Sequence, residues 1–362
     1  TTGIPELTHA LRESFASGLT RPLAWRRAQL DAMRRMLIEC GDEFERALRE
    51  DLGKSGTEAQ LTEIGFPLGE ISHTLQHLAA WTRPRKVAVP LAIQPASARV
   101  RPEPLGVALI IAPWNYPLML GLSPLIGALA AGNAAILKPS ELAPATAEVI
   151  ARRLPEYVDR RAVAVVTGDA SAATELLAQR FDHIFYTGNG RVGRIVARAA
   201  AEHLTPITLE LGGKSPVYVD GSVPLAEAAK RIAWAKYMNA GQTCVAPDYV
   251  LGTAAVLRAL GPLLAEAIHE LYGNAAEGNA DYGRIVNDAH FNRLTGYLAD
   301  GTVLAGGRSD AATRFIEPTV LGGVARLGGV PQRLAATNAA RNPRRTTSTA
   351  TALLVGVALV TM

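Results

Sequence analysis

An α/β fold, with a doubly wound parallel sheet followed by a second and smaller α/β region, is what this sequence predicts. Three observations lead there. Short apolar runs alternate with helical stretches at regular spacing from Gly106 to Leu211. Several of those runs are apolar throughout, as strands covered on both faces are. The chain has 362 residues, 48% hydrophobic and 19% charged, enough for about two domains with a packed core and unlike a disordered chain.

In order along the chain, residues 22–52 read as an amphipathic helix with Leu30, Met33, Leu37, Phe44 and Leu48 on one face. Residues 57–82 repeat the pattern with Ile64, Leu68, Ile71, Leu75 and Leu78. Residues 83–104 are proline-rich and lack helical period, which predicts an extended connector. The sheet then begins with "GVALIIA" (106–112), followed by a helix at 120–131 and strand "AAILK" (134–138). Helix 143–153 leads to strand "AVAVVT" (162–167), helix 171–179 to "HIFYT" (183–187), and helix 191–202 to "ITLEL" (207–211). The second region starts near Lys214 with "PVYVD" (216–220), helix 224–239 and strand "DYVLG" (248–252). The expected units are 1–209, 210–320 and a tail at 321–362.

The net charge of +4 belongs to that tail. Arg326, Arg333, Arg341, Arg344 and Arg345 stand there without an acid, and residues 1–320 carry one more acid than base. Nucleic-acid binding is therefore not expected. The tail also lacks Lys, His, Cys and aromatic residues, a composition that would arise if a GC-rich gene were read out of frame after about Gly323. It is expected to be aberrant and poorly ordered. No apolar run approaches the ~20 residues of a membrane span, and no basic-then-apolar leader is visible. Two cysteines, Cys40 and Cys244, cannot build a disulfide framework, so a cytoplasmic location is expected.

Several segments could carry chemistry. In "ITLELGGKSPVYVD" (207–220), Glu210 ends an apolar strand before two glycines. A partly desolvated carboxylate there suits a general base, or it is a strand-end Glu paired with a surface Lys. A phosphate-binding loop is excluded, because Thr208 stands where that pattern needs glycine. In "NAGQTCVAP" (239–247), Cys244 follows a helix and a small, polar approach, which suits either a nucleophile facing a cleft or a buried structural thiol. Cys40, among Leu37, Ile38 and Phe44, reads as structural. In "APWNYP" (112–117), Asn115 lies between two prolines at a strand's carboxyl end, as an oxyanion donor or as a turn residue. "GNGRVG" (188–193) fits G-x-G-x-x-G and an anion site at a helix start. In "LKPSE" (137–141), Lys138 and Glu141 could hold a ribose or form a solvated pair. His73 and His77 lie four apart with no third ligand nearby, so no metal site is expected.

Taken in order, "PWNYP", "KPSE", "FYTGN…VG", "HLTPITLELGGKSP" and "GQTC" resemble the aldehyde dehydrogenase superfamily, in the class 3 branch that handles fatty and aromatic aldehydes. The similarity runs from about Pro5 to Pro318. It implies a Rossmann-like NAD(P)-binding domain and a second, incomplete α/β catalytic domain. Cys244 then matches the nucleophile, Glu210 the general base and Asn115 the oxyanion-hole amide. Lys138 and Glu141 match the adenosine-ribose contacts, and Gly188, Asn189 and Gly193 the pyrophosphate turn. Trp114 and Leu211 lie where the family contacts cofactor. The implied reaction oxidises a small-molecule aldehyde to an acid through a cysteine thiohemiacetal and thioester. The implied cofactor is NAD, with NADP the alternative, and the implied assembly is a homodimer. Glu210 favours hydrolysis over transfer to coenzyme A. After "FIEPTVLGGV" (315–324) the family's acidic E-x-F-G-P-type motif is not readable, which makes a truncated, inactive remnant with at most nucleotide or partner binding the alternative expectation.

Overall fold

The structure, a computed structural model, describes residues 3–322; the expectations for the tail beyond Gly322 lie outside the described residues. Five described α-helices precede the sheet, the first four being α1 (Ile4–Ala16), α2 (Leu23–Glu39), α3 (Gly41–Leu52) and the short α4 (Gly56–Ala59). The single helix expected over 22–52 is thus two. The backbone leaves helical geometry at Cys40 (φ −106°, ψ 12°) and restarts at Gly41, a weak helix former. Cys40 is buried as expected, although its neighbour Ile38 is exposed. The helix expected over 57–82 is also interrupted. One wide π turn, Gln60–Ile64, separates α4 from α5 (Gly65–Trp81). At Gly65 a Cβ would stand 2.7 Å from the Gln60 carbonyl, so the turn needs glycine there. The expected extended connector is a ribbon, in which β1 (Arg85–Val87) pairs antiparallel with β2 (Ala98–Val100).

The central sheet follows: β3 (Val107–Ile111), α6 (Met119–Ala131), β4 (Ala134–Lys138), α7 (Pro144–Tyr157), β5 (Val163–Val165), α8 (Ala170–Leu177), β6 (His183–Gly188), α9 (Gly190–Glu202) and β7 (Ile207–Leu211). Its order is β5-β4-β3-β6-β7, with every pair parallel. The chain winds outward from β3 through β5, then returns to the other side of β3 for β6 and β7. The reversal leaves a crevice beyond the carboxyl ends of β3 and β6, where such sheets take ligands. Register sets Ile111 opposite Lys138 and Tyr186, Thr187 opposite Glu210, and Gly188 opposite Leu211. Lys138, Gly188, Glu210 and Leu211 therefore lie toward one end of the sheet, beside the loop that leaves Ile111.

Both faces are covered, which explains the continuous apolar runs. Ile110, Ala135 and Leu137 pack with Leu30, Met33, Phe44, Leu122, Leu125 and Ile150. Val107, Leu109, Ile111 and Ile136 pack on the other face with Leu11, Leu176, Ile184 and Val196. The second region has its own core. It contains β8 (Ser215–Val219), α10 (Leu225–Tyr237), β9 (Pro247–Gly252), α11 (Ala254–Tyr272), α12 (Asp288–Thr295), β10 (Thr302–Ala305), β11 (Ser309–Asp310), β12 (Phe315–Ile316) and β13 (Val320–Gly322). Strands β8 and β9 pair parallel, with Ala229, Ala233, Tyr237, Leu260, Leu264 and Ile268 in the core of this region. No described helix is long and apolar enough to cross a membrane. Ile136 is fully buried in the centre of the sheet. Its replacement by alanine is expected to lower the unfolding free energy by about 2–5 kcal/mol, measured by urea denaturation.

Candidate active site

The site begins where α10 ends. The helix expected to reach residue 239 stops at Tyr237, and Asn239 (φ 53°), Ala240 (φ 51°) and Gly241 (φ 79°) form three successive left-handed residues. Such geometry costs roughly 1–2 kcal/mol for each non-glycine residue and needs outside support. Asn239 supplies it from a fully buried position. Its Nδ2 donates to the Asn115 carbonyl at 2.7 Å and to the Gln242 carbonyl at 3.2 Å. The Gln242 amide donates to the Asn239 and Arg284 carbonyls at 3.1 and 2.9 Å and accepts from the Val286 N–H at 3.0 Å. The reversal delivers residues 242–244 to the loop that leaves β3.

That loop holds them. Asn115 Nδ2 donates to the Gln242 carbonyl at 2.9 Å, which leaves its second N–H free for another acceptor. Tyr116 Oη lies 2.6 Å from Thr243 Oγ1. Burial pushes the Tyr116 phenol above its ordinary value, against the lowering effect of that hydrogen bond, so the ring stays neutral. Cys244 itself is exposed rather than buried, which removes the structural-thiol alternative. The glycines after β7 approach from the other side: a Cβ at Gly213 would stand 3.1 Å from the Cys244 carbonyl. The structure thus brings Asn115 and the Cys244 loop together directly, and the Glu210 segment only through Gly213. The Glu210 carboxylate is exposed, against the expectation of partial desolvation. It ends the edge strand of the sheet, and Gly212 and Gly213 bring no side chain to cover it.

The remaining residues line the same edge. Lys138 is 2% exposed, and its Nζ donates to Glu141 Oε2 at 3.0 Å. This is no solvated pair, because only the carboxylate reaches solvent. A cleft beside it runs past Ser140, Glu148, Thr167 and Gly168. At Gly188 a Cβ would meet Tyr186 Oη at 2.3 Å, and at Gly193 it would meet Leu211 Cδ2 at 3.1 Å. Asn189 differs from expectation in part: its Oδ1 accepts from the Val192 N–H at 3.0 Å and so caps α9. Thr187 Oγ1, between these glycines and Glu210, is buried without a partner among the described residues. Trp114 packs at 5.1 Å on the His290 ring. Small glycine cradles, a helix N-terminus, a free buried hydroxyl and a Lys–Glu pair suit a dinucleotide. The His73 and His77 rings lie tilted with centres 4.2 Å apart, His77 stacks on Trp81, and no group of three metal-ligating side chains occurs among the described residues.

Residues 6–329 match the profile of the aldehyde dehydrogenase family. The chain belongs to that family. It is 49% identical over 311 residues to the rat aldehyde dehydrogenase family 3 member B1, covering 86% of this chain and 66% of the relative. Against the human family 3 member B1 the identity is 48%, over 89% of this chain and 69% of the relative. The chain therefore spans about two thirds of the length of the curated relatives it matches. These likenesses agree with the class 3 wording of the motifs. Among solved structures, substrate-bound AldH of Staphylococcus aureus superposes with a TM-score of 0.88 at 40% identity, over 92% of this chain and 73% of that one. A Mycobacterium tuberculosis aldehyde dehydrogenase complexed with NAD+ superposes at 0.80 with 28% identity, over 90% of this chain and 70% of that one. The fold expectation is met.

Sequence reading missed two residues that support this family site. Lys54, released from α3 by the left-handed Gly53 (φ 67°), and Glu63, in the π turn, form an ion pair with both side chains fully buried. Lys54 Nζ also donates to the Asn115 carbonyl at 3.1 Å and sits 3.9 Å from the Tyr116 ring centroid. Glu63 Oε2 accepts from the Leu118 and Met119 N–H groups at 3.1 and 2.9 Å, at the start of α6. The available signal was faint: a Lys and a Glu beside buried Leu52 and Ile64, on turns that interrupt an apolar face. Replacing Glu63 by alanine leaves a buried ammonium unpaired. It is expected to cost about 3–5 kcal/mol of unfolding free energy in urea titrations.

Proposed function

We propose that this chain oxidises an aldehyde to a carboxylic acid with NAD, or less readily NADP, through a thiohemiacetal and then a thioester on Cys244. The Asn115–Gln242 hydrogen bond carries the reading, since it ties a side-chain amide from the ligand-binding edge to the residues before an exposed thiol. Cys244 Sγ adds to the carbonyl carbon as thiolate. The remaining Asn115 N–H and the Cys244 backbone N–H, which donates to no backbone carbonyl among the described residues, receive the developing oxyanion. A nicotinamide held at this edge would supply the acceptor for the hydride that the thiohemiacetal carbon must lose to become the thioester. Glu210 then takes a proton from water, whose oxygen bonds to the acyl carbon as the C–S bond breaks and the thiolate returns. An exposed carboxylate passes that proton on to solvent.

Lys138 and Glu141 would hold the adenosine ribose; Gly188, Asn189 and Gly193 would leave room for the pyrophosphate; and Trp114 and Leu211 would flank the dinucleotide. The Glu141 charge disfavours a 2′-phosphate, which supports NAD over NADP. The class 3 likeness supports fatty or aromatic aldehydes as substrates. An exposed working thiol suits a reducing compartment, which supports the cytoplasm as its location. The second reading is a chain that does not turn over and has at most nucleotide or partner binding.

Steady-state NADH production from an aldehyde tests the proposal. Cys244→Ala is expected to abolish it. Asn115→Ala is expected to lower kcat/KM by about 10²–10³-fold. Glu210→Gln is expected to keep a first-turnover burst and slow hydrolysis. NAD binding without NADH formation would return the chain to the second reading. Gly188→Ala is expected to weaken NAD binding by about tenfold or more, ~1.4 kcal/mol by titration calorimetry.

A further inference from the structure

We propose that Lys54 is a positioning residue for the oxyanion site, acting through the Asn115–Tyr116 peptide; the inference rests on the functional reading above. Its ammonium has three donors and no route to solvent. The three groups that meet it are the Glu63 carboxylate, the Asn115 carbonyl at 3.1 Å and the face of Tyr116. The Asn115 oxygen also accepts from Asn239 at 2.7 Å, so both of its lone pairs are filled. That fixes the peptide plane between residues 115 and 116. The two side chains leaving this plane are the tethers of the thiol loop. Asn115 reaches the Gln242 carbonyl, and Tyr116 reaches Thr243 Oγ1, immediately before Cys244. Glu63 fixes the other end of the same loop through the Leu118 and Met119 N–H groups. One buried pair therefore sets where the free Asn115 N–H points relative to the Cys244 sulfur. A displacement of about 1 Å at such a position can cost about a hundredfold in rate.

A role in placing the oxyanion donor differs from a role in holding the fold, and two reactions of the same thiol separate them. With p-nitrophenyl acetate, the Cys244 thiolate bonds to the carbonyl carbon, passes through an oxyanion and expels p-nitrophenolate. With iodoacetamide, sulfur bonds to the methylene carbon and iodide leaves, with no oxyanion formed. Neither reaction needs the dinucleotide. Cys244→Ser supplies the blank for Cys40. The double variant Lys54→Met/Glu63→Gln removes both charges and keeps bulk and an acceptor oxygen at 63. Lys54→Arg keeps the ion pair but cannot present the same N–H to Asn115, and it serves if the double variant loses its cooperative unfolding transition.

In either variant, acylation is expected to fall about ten- to a hundredfold while alkylation stays within about twofold. In an Asn115→Ala background the same change is expected to cost less than about threefold, since the residues act as one unit. Acylation and alkylation falling in step, independent losses that multiply, or unchanged acylation would each overturn the proposal. So would a wild-type chain that p-nitrophenyl acetate does not acylate. Normal acylation with its Lys54 dependence but no NADH from aldehyde would instead sink the dehydrogenase reading alone and leave Lys54 in its role.

Discussion

Lys54 and Glu63 face each other in the interior with neither side chain reaching solvent, and the placement of the loop that bears Asn115 hangs from that contact. Charges in such a place are tolerated only when their remaining hydrogen-bonding capacity is met, because the desolvation of each ion costs several kcal/mol. Here it is met by parts of the site itself: the Asn115 carbonyl, the Tyr116 ring and the first N–H groups of α6. The loop bearing Asn115 therefore cannot drift without exposing a buried charge to an apolar surrounding. A loop between two prolines is already restricted, and the ion pair turns restriction into a single placement.

The winding of the sheet explains why the candidate binding residues and the Asn115 loop lie along one edge. Strands β3, β4, β6 and β7 all run the same way, so their last residues end at one level. Lys138, Gly188, Glu210 and the loop after Ile111 are brought together by register alone. The thiol comes from a different layer, and only the left-handed reversal at residues 239–241 turns it back toward that edge. The strained backbone sits shortly before Cys244, where strain of this kind is sustained by surrounding contacts rather than by local preference.

The sheet was legible because its strands are short apolar runs bounded by breakers. Strands at 134–138 and 207–211 have the read boundaries, and the others shift by a residue or two. The break at Cys40 was not legible, since the buried face continues across it from Leu37 to Phe44. The π turn was hidden in the same way. Candidate site residues can be picked by chemistry and spacing, but their surroundings depend on strand order, which one chain segment does not carry. Glu210 is exposed because β7 is an edge strand. Asn189 spends its side chain on the α9 terminus, a role that G-x-G-x-x-G spacing does not separate from ligand binding. Lys54 and Glu63 met only through tertiary contact, so no motif announced them.

The Cys244 thiol and the Asn115 amide belong to bodies with separate hydrophobic interiors. Val219, Ala233, Leu264 and their neighbours pack without the sheet that presents Asn115. Between these interiors run polar links at residues 115, 116, 239, 242 and 243, the Arg284 N–H to the Leu52 carbonyl, and the Trp114–His290 contact. Polar links open at lower free energy than a packed core does. Warming should accordingly blunt the chemistry through a hinge-like parting of sulfur from amide, at temperatures where each body still keeps its own helices and strands.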